Sequence, residues 1–199
     1  MLVNGIRVIK DPEIAKLFAD ETRRHILHTL RHHERSATDL AKSLKKNHSS
    51  IIHHLNLLKE AGLVKKTRTV QVRNMVQSYY KSIGDRFIVS YSLSETLAED
   101  DNYMVWQEEV QQRITDGLRS FGLEFKAEKR EKVEELITLI KELRKRAFEE
   151  TVDKQGNPNE LGRFIYRSLV KLVTNLKLAQ DQNYISALNE LNSVLTFQE

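Results

Sequence analysis

The fold of this chain is decided by residues 47–64, which read NHSSIIHHLNLLKEAGLV. Ile51, Leu55 and Leu58 recur at four- and three-residue spacing, which places them on one buried face of a helix. Short polar side chains occupy the opposite face. Gly62 follows at the position where a helix commonly ends in a left-handed residue. We therefore predict that this segment is a half-buried helix with a polar face turned outward.

Three shorter helices are predicted upstream of this segment. Asp11 and Pro12 have the form of a helix start, with an aspartate N-cap and proline at the first helical position. Asp20 is placed to cap a second helix. Ser36 and Asp39 resemble a capping box that opens a third, short helix. This succession of helices, with the polar-faced helix last, is the order of a helix-turn-helix.

The hydrophobic period changes after the fourth helix. Residues 63–69 and 75–83 are rich in Val, Thr, Tyr and Ile, which predicts two strands. A polar stretch around Gln71, Arg73 and Asn74 lies between them. Two strands with a basic tip directly after a helix predict a wing. A third strand over residues 87–91 is left open.

Helical periodicity continues from Ser94 to the end of the chain. We predict a mainly α protein with a small β-wing: a winged helix-turn-helix over residues 1–92 and an all-helical domain over residues 93–199. Gln155–Pro158 is the clearest break in the second half. Four apolar stripes are predicted there: Trp106, Val110, Ile114, Leu118 and Phe121; Val133, Leu136, Ile137, Ile140 and Leu143; Leu161, Ile165, Leu169, Leu172 and Leu176; and Tyr184, Leu188, Leu191 and Leu195.

The charge is distributed unevenly between the two halves. Residues 1–90 carry 17 Lys and Arg against 8 Asp and Glu, whereas the remainder carries 15 against 20, and all seven histidines lie in the first half. A basic half joined to an acidic one is expected when only one half meets phosphate. The chain has no cysteine, which excludes disulfides and thiolate metal sites. With no apolar run long enough to span a bilayer and no signal-peptide pattern, we expect a cytoplasmic protein with no membrane partner.

The polar face of the fourth helix and the basic wing predict an interface for double-stranded DNA. In a helix-turn-helix the second helix of the motif enters the major groove and reads base edges near its N-terminal end. Lysines before that helix and cations on the wing are placed for the phosphate backbone. The candidate DNA-binding residues are Lys45, Lys46, Asn47, His48, Ser49, Ser50, His53, Asn56, Lys66, Arg68 and Arg73.

The sequence resembles the ArsR-type winged-helix regulators of bacteria and archaea. The likeness covers roughly residues 11–92 and rests on four segments in the right order: Phe18–Leu27 (FADETRRHIL), Ala37–Ala41 (ATDLA), Ile51–Val64 (IIHHLNLLKEAGLV) and Tyr79–Lys81 (YYK). Among relatives, the chain looks most like archaeal members with a long helical extension after the wing. The resemblance implies a homodimer that binds a palindromic operator and usually represses, with His48, Ser49, Ser50 and His53 at the DNA-contact positions.

Two departures from the family pattern limit what the resemblance implies. Ile52 stands where relatives often have a small polar residue, which puts one phosphate contact in doubt. The family's metal sensors use cysteine pairs, or Asp and His on a later dimer helix, and this chain has neither cysteines nor any histidine after His54. We therefore predict no metal cofactor of that kind, and no other cofactor is indicated.

Several alternatives remain at the level of sequence. His25, His28 and His32 share a helical spacing and are candidates for a zinc site, although a solvated or DNA-facing edge explains them too. Trp106 and Phe121 are candidates for an effector pocket, although they also fit an ordinary core. No nucleophile elbow, glycine-rich phosphate loop or paired carboxylates indicate an enzyme. The competing function is a winged helix used for protein interaction or for nonspecific architectural binding of DNA.

Overall fold

The structure, a computed structural model, describes residues 2–3, 5–72, 75–153 and 161–197. The chain divides into two compact units, Met1–Val89 and Ser90–Glu199. As predicted, the protein is mainly α with a small β-wing, a winged helix-turn-helix followed by a helical C-terminal region. Two predicted features, Arg73 at the wing tip and the break at Gln155–Pro158, lie outside the described residues.

The helices of the N-terminal unit begin where the capping residues predict. They are α1 (Pro12–Lys16), a 3₁₀ turn (Leu17–Ala19), α2 (Glu21–Leu30), α3 (Ala37–Leu44) and α4 (His48–Glu60). The Asp11 side chain accepts hydrogen bonds from the first turn of α1, and the Asp20 side chain does so for α2. Ser36 and Asp39 form a reciprocal capping box at α3. Each short helix is therefore fixed at its N-terminus by its own sequence.

Helix α4 ends in a Schellman motif. Gly62 takes φ +63°, its N–H donates to Lys59 O at 2.9 Å, and the N–H of Leu63 donates to Leu58 O at 2.8 Å. This pair of bonds satisfies carbonyls that the helix end would otherwise leave open. The left-handed residue predicted at Gly62 is confirmed.

Two arginines of α2 have structural contacts that the sequence did not reveal. Arg23 Nε donates to Leu17 O at 2.6 Å, and Arg24 Nη1 donates to Phe18 O and Ala19 O. Both side chains are half buried and satisfy carbonyls at the 3₁₀ turn. Arginine does this readily because its apolar stem packs while its planar head donates.

The wing is an antiparallel sheet of three strands in the order β3-β5-β4. The strands are β3 (Arg35–Ser36), β4 (Val64–Val72) and β5 (Met75–Ser82). The register shifts between Lys66 and Arg68, which marks a bulge. The predicted two-stranded wing is therefore present, and the segment before α3 adds a short third strand to it.

A second sheet involves the N-terminal residues, for which the sequence suggested no structure. It joins β1 (Leu2–Val3), β2 (Ile6–Ile9) and β6 (Arg86–Val89), with β2 and β6 parallel. The strand left open over residues 87–91 therefore exists in part, but it pairs with the N-terminus rather than with the wing. Pairing partners so distant in sequence leave no local signal.

Among the described residues of the C-terminal unit, the regular elements are helices and one pair of two-residue strands. Its elements are α5 (Ser94–Leu97), α6 (Asp101–Gly117), β7 (Leu123–Glu124), α7 (Arg130–Asp153), α8 (Arg163–Leu178), α9 (Gln182–Val194) and β8 (Thr196–Phe197). The central helix is α7, against which α6, α8 and α9 pack. The expectation that everything after Ser94 is helix is therefore wrong at the β7–β8 pair.

The four predicted stripes differ in their burial. The α7 stripe is buried throughout, and its Leu136, Ile140 and Leu143 form a core with Leu178, Tyr184 and Ala187. In contrast, α6 buries Tyr103 and Thr115, while Phe121 is 83% exposed. The predicted α8 stripe is also exposed, and α8 packs through Tyr166, Val170, Thr174 and Leu178 instead. In α9, Tyr184 is buried whereas Leu188 is exposed.

A buried carboxylate fixes the start of the C-terminal unit. Glu149 of α7 is 4% exposed, and its two oxygens accept hydrogen bonds from Ser90 Oγ at 2.7 Å and Tyr91 N at 3.1 Å. These hydrogen bonds replace the hydration that the side chain loses on burial. No helix of the described residues combines the length and hydrophobicity required to cross a bilayer.

Candidate nucleic-acid interface

Helix α4 has a fully buried face and an exposed polar face. Ile51, Leu55 and Leu58 are at most 1% exposed, and α4 packs through them against α2, α3 and β4. Helical geometry puts Ser49, His53 and Asn56 at the centre of the opposite face, and all three are exposed. His48 is exposed beside them, whereas Ser50 and Ile52 lie at the edges and are half buried. The predicted outward residues are therefore brought together on one helix face.

The N-terminal end of α4 is open and flanked by cations. Asn47 takes the extended conformation of an N-cap, but its side chain makes no capping hydrogen bond. The first-turn N–H groups therefore lack that partner, and the positive end of the helix dipole faces outward. Lys45 and Lys46 precede it and are both exposed, with Lys45 held at φ +52° as the C-cap of α3. This combination is suited to an anionic backbone.

Of the three wing cations predicted to bind DNA, the structure describes Lys66 and Arg68, which differ in their surroundings. Lys66 is exposed on β4 opposite Tyr80. Arg68 is half exposed and is already engaged: its Nε lies 2.5 Å from Glu34 Oε1, and its guanidinium carbon lies 4.0 Å from the centroid of the Tyr79 ring. Hydrogen bonding to Glu34 raises the pKa of Arg68. Lys66 therefore presents its charge to solvent, whereas the charge of Arg68 is partly neutralised.

Glu34, which the sequence did not indicate as a functional residue, is hydrogen-bonded to two residues of β4. Its second oxygen accepts a hydrogen bond from Thr67 Oγ1 at 2.6 Å. The Thr67 hydrogen bond, followed by that of Arg68, lowers the pKa of Glu34. Nothing near Glu34 in the sequence signals this role, because its partners lie more than 30 positions away on β4 and meet it only through the β3–β5 pairing.

The two adjacent histidines of α4 have different environments. His53 is exposed, whereas the His54 side chain is 13% exposed and its Nδ1 lies 3.9 Å from Asp20 Oδ1, without a hydrogen-bond partner among the described residues. Burial is the largest cause that lowers the pKa of His54, and the charge of Asp20 opposes it. At neutral pH His54 is therefore an uncharged packing residue, and His53 alone of the pair faces outward.

The two other candidate sites are the zinc site on α2 and the effector pocket at Trp106 and Phe121, and the structure gives little support to either. His25, His28 and His32 are exposed, and His32 lies beyond the end of α2. Within the described ranges, no three His, Cys, Asp or Glu side chains are grouped to hold a metal ion. The Trp106 ring packs edge-on against the Tyr103 ring, with the ring centroids 5.3 Å apart, while Phe121 is largely in solvent. Trp106 and Phe121 therefore do not enclose a pocket.

A small open cleft of about 270 Å³ lies in the C-terminal unit. It is lined by Arg146, Ala147, Glu150, Lys177, Gln180 and Asp181. Its cations are paired, since Arg146 Nη2 lies 2.8 Å from Asp181 Oδ2 and Lys177 Nζ lies 3.0 Å from Glu150 Oε2. A cleft whose charges are satisfied internally gives no chemical indication of an effector.

Comparison with known proteins agrees with the geometry of α2 to α4. Residues 20–66 match the family model described as "Bacterial regulatory protein, arsR family". This range begins at the cap of α2 and includes all of α4 and the start of β4. No curated protein is a significant match to the chain.

Solved structures that resemble parts of the chain include the following two. One is a possible transcriptional regulatory protein (fragment 1–100) from Mycobacterium bovis, 25% identical, with 43% of this chain and 80% of that one covered and a TM-score of 0.31. The other is the adhesin competence repressor of Streptococcus pyogenes, 22% identical, with coverages of 60% and 77% and a TM-score of 0.30. At TM-scores this low, neither structure determines how this chain is built. The family match shows that residues 20–66 carry an arsR-type helix-turn-helix, and it supports DNA-binding transcription regulation as the function.

Proposed function

We propose that the protein is a sequence-specific transcription regulator that acts as a homodimer on a palindromic operator and represses the genes it controls. The observation that carries this proposal is the composition of α4. Three fully buried apolar residues anchor the helix, and the exposed face opposite them consists of short polar groups next to two lysines. A protein-binding surface would instead present exposed apolar or aromatic anchors, and Ile52 is half buried.

The proposed base contacts lie on the outward face of α4. Ser49, His53 and Asn56 are placed to meet base edges when the N-terminal half of the helix lies in the major groove, with His48 and Ser50 at the sides. His53 offers both a donor and an acceptor in its neutral form, which suits discrimination between bases. These assignments follow from exposure and from position on the helix.

The proposed phosphate contacts surround that face. Lys45, Lys46 and the open N-terminus of α4 at Asn47 would meet one backbone, and Lys66, Arg68 and Arg73 of the wing would meet another segment. Phosphate contacts supply much of the affinity of such proteins but carry no sequence information. Binding is therefore expected to weaken steeply with salt.

The homodimer is proposed because a single short helix reads few bases. Two copies related by a two-fold axis would place their α4 helices in successive major grooves, with half-sites about 10 bp apart. In this division of labour residues 1–92 bind DNA and residues 93–199 hold the dimer or respond to an effector. We further propose that the protein acts in the cytoplasm and is of the archaeal type with a helical extension.

Selection of bound duplexes from a random pool by the purified full-length protein, near physiological ionic strength, tests this function. We expect enrichment of an inverted repeat. Enrichment of a single unrepeated half-site would contradict binding of a homodimer to a palindromic operator, but it would still agree with base contacts by α4. Tight, salt-sensitive binding without enrichment would favour a nonspecific architectural role. Absence of binding would favour a protein-interaction module.

A further inference from the structure

Helix α8 exposes a second apolar face that none of the described residues covers. The α8 stripe, defined as Ile165, Leu169, Leu172, Val173 and Leu176, is between 39% and 55% exposed. The helix already buries another face, through which it packs on α7. Together the stripe leaves an apolar area on the order of 500 Å² exposed, which is the size of the largest apolar patch on a typical monomer, and such a patch is often functional.

The charges of α8 lie away from this stripe. Between Arg163 and Leu178 the helix carries two arginines and two lysines and no acidic residue. Helical geometry places Arg163, Arg167 and Lys171 on the half of the helix opposite the stripe. One border of the stripe is formed by Ser168 and Asn175, which are exposed and uncharged. Lys177 lies nearer the other border, and its Nζ lies 3.0 Å from Glu150 Oε2.

The distribution of charge on α8 indicates which kind of partner can bind the stripe. A bilayer surface or an acidic protein would be recognised by cations that border the apolar face and reach outward from it. A second α8 has the same basic charge, so it can pack on the stripe only if like charges are absent from the contact between the two helices. We call this contact the seam. The α8 stripe meets that condition because its borders are neutral or already paired.

The spacing of the stripe also suits pairing with itself. Ile165, Leu169, Leu172 and Leu176 follow one another at four, three and four residues, which is the alternation of the a and d positions of a helix pair. A surface that is the same on both chains can close around a two-fold axis, each copy covering the other. We propose that a second copy of this chain docks on the α8 stripe, with the two α8 helices packed side by side. This inference rests on the proposed homodimer and specifies its seam.

Single cysteines test the seam directly because the chain contains none of its own. Ile165→Cys, Leu169→Cys, Leu172→Cys and Leu176→Cys are introduced one at a time into the full chain and oxidised with copper phenanthroline. We expect a covalent dimer from at least one of them, since a disulfide requires Cα atoms within about 7 Å. Cross-linking at all four indicates parallel helices, and cross-linking only near the middle indicates antiparallel ones. Lys171→Cys, on the opposite half of the helix, should not cross-link.

Sedimentation of charged variants supplies the second measurement. Leu172→Glu should weaken the dimer about a hundred-fold or more, because two unpaired carboxylates would be buried face to face. Phe164→Glu is the matched control, since Phe164 is 83% exposed on the same helix but lies off the stripe. Its dimer should be unchanged. Circular dichroism identifies any variant that fails to fold, and in that case the cysteine series decides.

The outcomes separate this seam from the proposed function. If the wild type is a dimer, the Leu172→Glu protein is still a dimer and no cysteine of the stripe cross-links, then the seam is wrong but the homodimer stands. A chain that sediments as a monomer at every concentration, without cross-links, would overturn both the seam and the homodimer. A dimer that cross-links through the stripe but enriches no DNA sequence would support the seam and refute operator recognition.

Discussion

Arg68 Nε lies 2.5 Å from Glu34 Oε1, so one of the two described wing cations proposed to meet DNA is already paired with a carboxylate of its own chain. Glu34 is further held by Thr67, and Arg68 lies over the Tyr79 ring. If Arg68 binds a phosphate, Glu34 competes with that phosphate for the guanidinium and stays close to an anionic backbone. Glu34 is therefore expected to oppose backbone binding by the wing.

Replacing Glu34 by Gln should tighten binding to every duplex by about two- to five-fold, since an exposed ion pair is weak and its removal frees Arg68. Dependence on salt should steepen by up to about 0.9 in the slope of log K against log salt, the contribution of one additional phosphate contact. Fluorescence anisotropy with an operator and a random duplex over a salt series measures both quantities. The gain should be similar for the two duplexes because phosphate contacts do not depend on sequence.

A double-mutant cycle identifies the cause of this gain. Arg68→Ala should weaken DNA binding more in the Glu34→Gln background than in the wild type, because only there is Arg68 fully available. Glu21→Gln removes the same charge from another exposed residue of the N-terminal unit and serves as the control. If Glu21→Gln tightened binding as much as Glu34→Gln, the effect would be one of net charge and the competition of Glu34 with DNA would be wrong.

His53→Ala should reduce discrimination between the operator and random DNA by about 1–3 kcal/mol, the amount expected for a lost base-edge contact. The expectation follows from the place of His53 at the centre of the outward face of α4. His25→Ala, at an exposed histidine of α2, should leave the ratio of the two dissociation constants unchanged. If His53→Ala weakened binding to the operator and to random DNA equally, His53 would contact the phosphate backbone rather than base edges.

The buried His54 should make the N-terminal unit less stable in mild acid. Burial holds the pKa of His54 in the folded protein below its ordinary value of 6.5. Between these two pKa values the unfolded chain binds more protons, so the free energy of unfolding falls as the pH drops through about 6.5. Protonation is opposed by Arg23, His53 and Lys46 and favoured by Asp20. Urea midpoints at pH 7.5 and 5.5 measure the effect.

His54→Gln removes this titration and should reduce the difference between the two midpoints. His25→Gln is the control, since His25 is exposed and its replacement should leave the difference unchanged. Comparison of the two variants isolates the contribution of the buried imidazole from that of an exposed one. A His54→Gln protein whose two midpoints differ as much as those of the wild type would show that burial of His54 does not govern the acid sensitivity.

The sequence predicted the helix-turn-helix because its signals are local. Asp20, the Ser36–Asp39 box and Gly62 fix helix ends within three or four residues, and the spacing of apolar residues in α4 fixes the buried face. The outward residues of α4 follow from the same period. These elements therefore needed no knowledge of the remaining chain.

The features that sequence reasoning missed depend on contacts between distant residues. The parallel pairing of β2 with β6 joins residues about 80 positions apart, and Glu34 meets Arg68 across 34 positions. The α8 helix shows a different difficulty, because its two apolar faces have the same helical period. Composition alone did not decide which face packs on α7 and which faces solvent. The predicted stripe of Leu161, Ile165, Leu169, Leu172 and Leu176 is the exposed one.

Two glycines with opposite backbone requirements give a paired prediction for stability. Gly62 has φ +63°, and an added Cβ would lie 3.7 Å from Arg7 Nη1, so Gly62→Ala is opposed by backbone strain rather than by a clash. We expect a loss of about 1 kcal/mol in the free energy of unfolding. Gly117, at the end of α6, has ordinary helical φ and open space around its Cβ position, so Gly117→Ala should stabilise by about 0.4–1 kcal/mol. Urea unfolding of the full chain measures both changes, and a destabilising Gly117→Ala or a neutral Gly62→Ala would show that the backbone assignment at that glycine is wrong.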